Sequence, residues 1–231
     1  MIARRLGNTW RDGIGGNDEN TLLLLHGDSL NNASNSGVAI SSSSVGINNN
    51  GRFDKGLDFN GSSSWIDTGL NTSPFGSLYW TVDWWEYRRA ATSNDGAPIL
   101  AKYESNMRGD GGMALAWYET NNYKNKLYIS SNGTSWNLVS SSVMWGLSIG
   151  AWAHYAVVRN SDAILYYKNG LSVGGASVGT SLPYNNGNTY RINWYSTSLA
   201  YSTLNAVLSE FRISNIARWT SNFTPPDQPY S

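Results

Sequence analysis

The stretch 151–173, AWAHYAVVRNSDAILYYKNGLSV, constrains the fold more than any other part of this 231-residue chain. Two apolar runs flank an Asn169-Gly170 step. Both residues of that dipeptide tolerate positive φ, so it suits the two-residue type I′ turn whose twist matches paired antiparallel strands. Ahead of it, Trp152 to Arg159 reads as a third, mostly buried strand. Three consecutive strands rich in aromatic and β-branched residues predict an antiparallel β protein.

The same signals recur along the chain. Thr21 to His26 (TLLLLH) is a short apolar strand, and a weak one is expected near Gly37 to Ile40. Gly56 to Asn60 and Ser64 to Thr68 suggest a hairpin around Asn60-Gly61. In Leu78 to Tyr87 the alternation puts Val82, Trp84 and Glu86 on one face and Thr81, Asp83, Trp85 and Tyr87 on the other. Strands follow at Ala97 to Tyr103, Gly112 to Glu119, Lys126 to Ser130, Ser135 to Val139, Tyr190 to Tyr195 and Leu204 to Ile213. Five Asn-Gly steps, with turn signals about every ten residues, give the spacing of a sandwich or barrel of roughly twelve to fourteen strands, a jelly roll. The one helix-like piece is a single turn near Asn215 to Trp219. Residues 1–20 are polar and Gly-rich and read as an N-terminal arm, leaving 21–231 as one domain.

Composition narrows the partners. Sixteen basic and sixteen acidic residues give zero formal net charge, which argues against nucleic acid and against an anionic membrane surface. With no cysteine, a disulfide scaffold and a thiolate zinc site are excluded. The start, MIARRLGNTWRDG, lacks the apolar segment of a secretory signal.

The succession TLLLLHGDS, FDKGLDFNGSSSWIDTG, WTVDWWEY, WAHYAVVRNSDAILYYKNGLSVG and LSEFRISNIARWTSNFTPP resembles the laminin-G-like, concanavalin A-like lectin/glucanase superfamily over roughly residues 21–227. It looks most like jelly-roll domains of bacteriophage structural and tail-associated proteins, and the closing segment from Phe211 to Pro226 is the most specific piece. The resemblance implies two antiparallel sheets packed face to face, with Trp85, Trp152, Val157, Leu165 and Phe211 in or near the core. It also implies a calcium ion where the exit of the first strand meets the last long strand, held by Asp28, Asn60 and Glu210. Ser209 stands where relatives carry an acidic residue. A turn role for Asp28, and an ion pair of Glu210 with Arg212 or Arg159, are the alternatives.

Some glycosidases of the superfamily carry carboxylates at alternating positions of one strand, an arrangement that suits retaining hydrolysis. The nearest thing here, Asp83-Trp-Trp-Glu86, puts its carboxylates on opposite faces, so no enzyme is expected. His154 sits inside a strand and reads as a packed residue. Sugar binding needs exposed aromatic faces beside amides. Trp136, Trp194, Tyr195 and Tyr201, with Asn193 close by, are the candidates. The resulting expectation is a virion-associated structural or attachment protein. It would bind host-surface or environmental glycans in multiple copies on a phage head or tail, docking to other virion proteins through residues 1–20, with a homo-oligomer open. The alternatives are a decoration protein without a glycan site and a glycan-binding module of a bacterial cell surface.

Overall fold

A computed structural model describes residues 16–71, 74–91, 98–102, 113–119, 124–146, 148–194 and 204–231, with residues 113–119 and Ser141 described by their backbone alone. Among these residues the elements are all strands: β1 (Thr21–Leu25), β2 (Ser41–Ser43), β3 (Gly46–Asn48), β4 (Gly56–Asn60), β5 (Trp65–Asp67), β6 (Tyr79–Arg88), β7 (Leu100–Lys102), β8 (Met113–Glu119), β9 (Lys124–Ile129), β10 (Val139–Gly146), β11 (Trp152–Asn160), β12 (Ala163–Lys168), β13 (Leu171–Ser177), β14 (Arg191–Ile192) and β15 (Asn205–Ser214). They form two antiparallel sheets. The eight-stranded sheet runs β13-β12-β11-β6-β15-β4-β3 with β1 also on β15, and the seven-stranded sheet runs β10-β9-β8-β7-β14-β5-β2. This is the expected jelly-roll sandwich.

Local turn chemistry is where it was expected. Asn169 and Gly170 have φ of 51° and 75°, and they join β12 to β13 in register. Added to Gly170, a Cβ would sit 1.9 Å from the Phe223 carbonyl oxygen, so the position requires glycine twice over. The Asn60-Gly61 turn is different. β4 pairs β15 and β3, whereas β5 pairs β14 and β2, so this turn carries the chain from one sheet to the other and no hairpin forms. The strand expected at 37–40 is replaced by β2 and β3. The strand expected at 190–195 shortens to β14, because Asn193 turns to φ 54°. Residues 215–219 make bends and no helix.

The two sheets bury one apolar layer between them. Leu57, Phe59, Trp80, Val82, Trp84, Tyr155, Val157, Phe211 and Ile213 from one sheet meet Ile66, Leu100, Leu127, Ile129, Trp145 and Ile192 from the other. Trp84 lies 5.8 Å from Trp145 and 5.6 Å from Tyr155, and the last two rings stack at 4.7 Å. Each fully buried large side chain contributes roughly 1.5–3 kcal/mol. Val157 and Phe211 therefore occupy the core as expected. Trp85, Trp152 and Leu165 do not: alternation turns them to the outer face of the eight-stranded sheet.

That outer face is covered in part by the C-terminal tail. Trp219 stacks on Phe223 at 4.0 Å, and both pack over Ala156, Val158, Tyr167 and Leu165. Beneath the tail lies a charged network. Arg212 donates to Asp83 at 2.9 Å and 3.3 Å and to the Gly16 carbonyl at 2.9 Å. The Tyr230 hydroxyl bonds Asp83, and its ring centroid lies 3.7 Å from the Arg212 guanidinium. Burial would raise the Asp83 pKa, but the Arg212 charge and the nearby His154 outweigh it and bring it down to about 2. His154 is fully buried in its strand, its ring edge-on to Trp85 and Trp219, and burial lowers its pKa. It is the packed residue the sequence suggests.

The first residues described, 16–20 of the expected arm, are bonded to the rest of the chain. Asn17 N–H donates to the Ser231 carbonyl at 3.0 Å, and the Asn17 amide donates to Ala33. Asp18 pairs with buried Arg218 at 2.7 Å. Residues 16–20 are thus part of the sandwich, and residues 1–15 lie outside the described residues.

Candidate functional site

In β5 and β14 the central apolar residues Ile66 and Ile192 point into the core. Strand alternation then sends Trp65, Asp67 and Arg191 to the outer face of the seven-stranded sheet. Asp67 and Arg191 are direct cross-strand partners. Asp67 Oδ2 accepts from Arg191 Nε at 2.9 Å and from the Thr189 hydroxyl at 2.7 Å. The Trp65 and Trp194 rings meet edge to face at 5.3 Å, both half-buried. The Arg191 guanidinium lies 5.5 Å from the Trp65 centroid and 5.1 Å from that of Trp194. The result is a pair of half-buried indoles with the Arg191 guanidinium over both rings, itself oriented by Asp67.

This platform contains one of the expected sugar-binding residues, Trp194, and three that sequence reasoning missed. The signal for Trp65 and Asp67 was legible: two residues apart in a short strand, they must share a face. Arg191 carried no such signal, because only the register brings it to Asp67. Asn193 needs correction. It is fully buried, its amide nitrogen donates to the Ser64 carbonyl at 2.7 Å, and its amide oxygen accepts from Leu204 N–H at 3.1 Å. An amide committed on both sides holds the chain and is not offered to a ligand. Trp136 packs on Tyr128 at 5.6 Å, on the same sheet but apart from the platform. The row Arg191–Ala101–Ala114–Tyr128 crosses three strand spacings, about 14 Å. Tyr195 and Tyr201 lie outside the described residues.

The expected calcium residues separate in the same way. Asp28 and Glu210 line one pocket of ≈ 280 Å³ with His26, Asp54, Lys55 and Tyr230. Asn60 is at the far end of β4, about 13 Å of strand from Gly56, where its side chain caps its own turn through Ser62 and Ser63. Glu210 is engaged as well. His26 Nδ1 lies 3.0 Å from both carboxylate oxygens, and Tyr230 N–H donates to Oε2 at 2.9 Å. Its ion-pair partner is thus His26, neither Arg212 nor Arg159. Calcium takes six to eight oxygens. A glutamate held by a ring nitrogen and an amide N–H, with Asn60 elsewhere, does not provide that set. Among the described residues no group of three or more acidic or histidine side chains could hold a metal.

The bulge explains this local chemistry. Along one edge of β15, residues up to Leu208 pair with β4, and those from Phe211 onward pair with β1. Leu208 and Phe211 both face the core although they are three apart, so the segment between them carries an extra residue. Glu210 takes φ 53° there, and its backbone N–H donates to the His26 carbonyl at 3.3 Å. The Glu210 hydrogen bond raises the His26 pKa more than burial lowers it.

Asp83 and Glu86 lie on opposite sides of the eight-stranded sheet. Asp83 faces outward to Arg212, whereas Glu86 accepts from Trp84 Nε1 at 3.1 Å and from Arg88 on the core side.

No curated protein matches this sequence. Solved structures share the fold at low identity. The binding domain of Paraclostridial Mosquitocidal Protein 1 is 14% identical with a TM-score of 0.63, over 86% of this chain and 49% of that one. Domain 4 of AbnA, a GH43 extracellular arabinanase from Geobacillus stearothermophilus, solved in complex with arabinotriose, is 14% identical with a TM-score of 0.60, over 86% of this chain and 95% of that one. Trypanosoma rangeli sialidase in complex with sialic acid is 13% identical with a TM-score of 0.56, over 78% of this chain and 28% of that one. The chain thus spans about half of the mosquitocidal binding domain and nearly all of the arabinanase domain. A laminin G-type family model described as the concanavalin A-like lectin/glucanases superfamily matches residues 60–221, and the chain belongs to that superfamily.

Proposed function

We propose that this chain is a non-catalytic carbohydrate-binding module that holds a glycan on the Trp65–Trp194 platform. The observation that carries the reading is the pair of half-buried indoles beside the Arg191–Asp67 pair. Indole surface suits the apolar C–H face of a sugar ring, while the Arg191 guanidinium over the rings and its partner Asp67 supply a donor and an acceptor for hydroxyls. Supporting this, the arabinanase domain, nearly all of which this chain spans, was solved with arabinotriose. The non-catalytic part of the reading is supported by the two carboxylates of β6, which are held on opposite faces where hydrolysis needs a facing pair.

The finer proposal is display in many copies on a phage head or tail, with attachment to host or environmental glycans. Its support is the resemblance of the closing segment from Phe211 to Pro226 to phage jelly-roll domains. Repeated display converts weak single-site affinity into useful avidity. The test is a glycan array probed with the protein clustered on beads. Binding that disappears in both Trp65→Ala and Trp194→Ala, with the melting temperature preserved, is the expected result. A blank array overturns the reading and favours a structural decoration protein.

A further inference from the structure

Strand alternation places Thr81, Asp83, Trp85 and Tyr87 in succession on the outer face of the eight-stranded sheet. The first three are covered. Thr81 donates to the Ile216 carbonyl at 2.8 Å, Asp83 is bonded by Tyr230, and Trp85 lies under the Arg52 guanidinium at 4.3 Å and beside Phe53 at 6.0 Å. The cover ends before Tyr87. There a cavity of ≈ 340 Å³ opens, lined by Asn48, Asn50, Tyr87, Arg89, Trp152 and Val207.

Register shows how the cavity is built. Trp152 pairs with Tyr87, Tyr87 with Val207, and Val207 with Asp58, so four strands contribute one row on one face. Val207 is the buried floor. On one side stand the half-buried Trp152 and Tyr87 rings, with centroids 5.8 Å apart. On the other stands a polar wall. Arg89 bonds Asp58 Oδ1 and donates to the Asn205 amide oxygen at 3.1 Å, Asn48 donates to Asp58 Oδ2 at 3.0 Å, and Asn50 is exposed.

We propose that this cavity is a second carbohydrate-binding site, on the face opposite the Trp65–Trp194 platform, and that it takes a neutral pyranose. Its size falls within the roughly 300–1,000 Å³ of small-molecule sites. One wall offers aromatic surface to the C–H face of a sugar. The other offers the Arg89 guanidinium and the exposed Asn50 amide, while Asp58 braces Arg89 and Asn48. The Arg89 and Asp58 charges cancel, so the site selects against acidic sugars, whose carboxylate would meet no unbalanced cation. This site shares no residue with the platform, so either can fail alone.

The experiment is an indole N–H NMR titration of the full chain with the methyl glycosides of glucose, galactose and mannose, and with free sialic acid as the acidic comparison. The Trp152 signal is assigned by its loss in Trp152→Phe. The expected result is a saturable shift of that signal with at least one neutral glycoside and none with sialic acid. Tyr87→Ala and Asn50→Ala should each weaken the neutral interaction by roughly tenfold. The exposed position of Asn50 keeps that variant informative should Tyr87→Ala fold poorly. An unmoved Trp152 signal with all three glycosides overturns the proposal, as does a shift that persists undiminished in Asn50→Ala and Tyr87→Ala. Movement of Trp65 and Trp194 signals alone would overturn this site and leave the platform standing, whereas movement of Trp152 alone would do the reverse.

Discussion

Replacing Arg212 by leucine should destabilise the domain more than most single substitutions at its surface. Arg212 and Asp83 are both fully buried, joined at 2.9 Å and 3.3 Å, and Arg212 also holds the Gly16 carbonyl and packs on the Tyr230 ring. Arg212→Leu would leave the carboxylate without its cation in a dry setting. Removing one member of a buried pair costs about 3–5 kcal/mol. At roughly 2–4 °C per kcal/mol for a domain of this size, the melting temperature should fall by roughly 6–20 °C. The pH dependence has a definite sign. Wild-type Asp83 titrates at about 2, below its ordinary 3.8, so its stabilising contribution is present above 3.8 and lost as the pH falls toward 2. In the variant the Arg212 charge is gone and burial is opposed by His154 without it, so the pKa rises and the carboxyl neutralises more readily on acidification. The deficit between variant and wild type should therefore shrink from neutral pH to about pH 4. Adding Asp83→Asn should recover part of the loss, because the buried charge then disappears from both sides. Calorimetry across that range is the assay. A deficit under about 1 kcal/mol, or one indifferent to both pH and Asp83→Asn, would refute the claim that this pair anchors the face.

Two further outcomes follow from the same structure. His26 titrates above 6.5 because of Glu210, so its stabilising contribution is complete below 6.5 and lost as the pH rises through the folded value; melting curves should show this decline in the wild type, and His26→Gln should flatten it. Gly170→Ala should cost at least about 1–3 kcal/mol from the left-handed backbone alone, with the clash against the Phe223 carbonyl in addition, read as a lowered denaturant midpoint and faster proteolysis of the tail; an unchanged midpoint would contradict the close approach of the tail to this turn.

Local rules were legible in the sequence, and partner choice was not. Asn169-Gly170 and Asn60-Gly61 are the same dipeptide and both glycines adopt positive φ, although Asn169 does so as well and Asn60 does not. One closes a hairpin and the other passes between sheets. The dipeptide dictates a tight reversal, whereas the strand received afterwards depends on residues far away, such as Arg191 and Ile192 waiting for β5. The alternation of β6 was likewise readable, and Val82, Trp84 and Glu86 do share the core side. The expected calcium residues were legible only in part, for a related reason. Asp28 and Glu210 do converge, but the bulge at Glu210 and the ring of His26 change what the carboxylate is bonded to, and a bulge leaves little trace in sequence.

The same reasoning separates aromatic residues that hold the fold from those that could hold a ligand. In a chain with 11 Trp and 14 Tyr, residue type alone says nothing about role. Trp85 and Tyr87 are two apart on one strand and point the same way, so sequence periodicity treats them as equals. What distinguishes them is cover. Arg52 and Phe53, more than thirty positions upstream, close over Trp85, and nothing comparable among the described residues closes over Tyr87. Trp152 and Trp219 divide in the same manner. Trp219 is sealed against Phe223 and the buried sheet face, while Trp152 stays half-buried beside an open cavity. An indole withdrawn from water on both faces has already gained its burial energy and has none left to offer a ligand. A half-buried one beside oriented polar groups still has burial to gain, which is why Trp65, Trp194 and Trp152, not the larger buried set, are the residues on which recognition can rest.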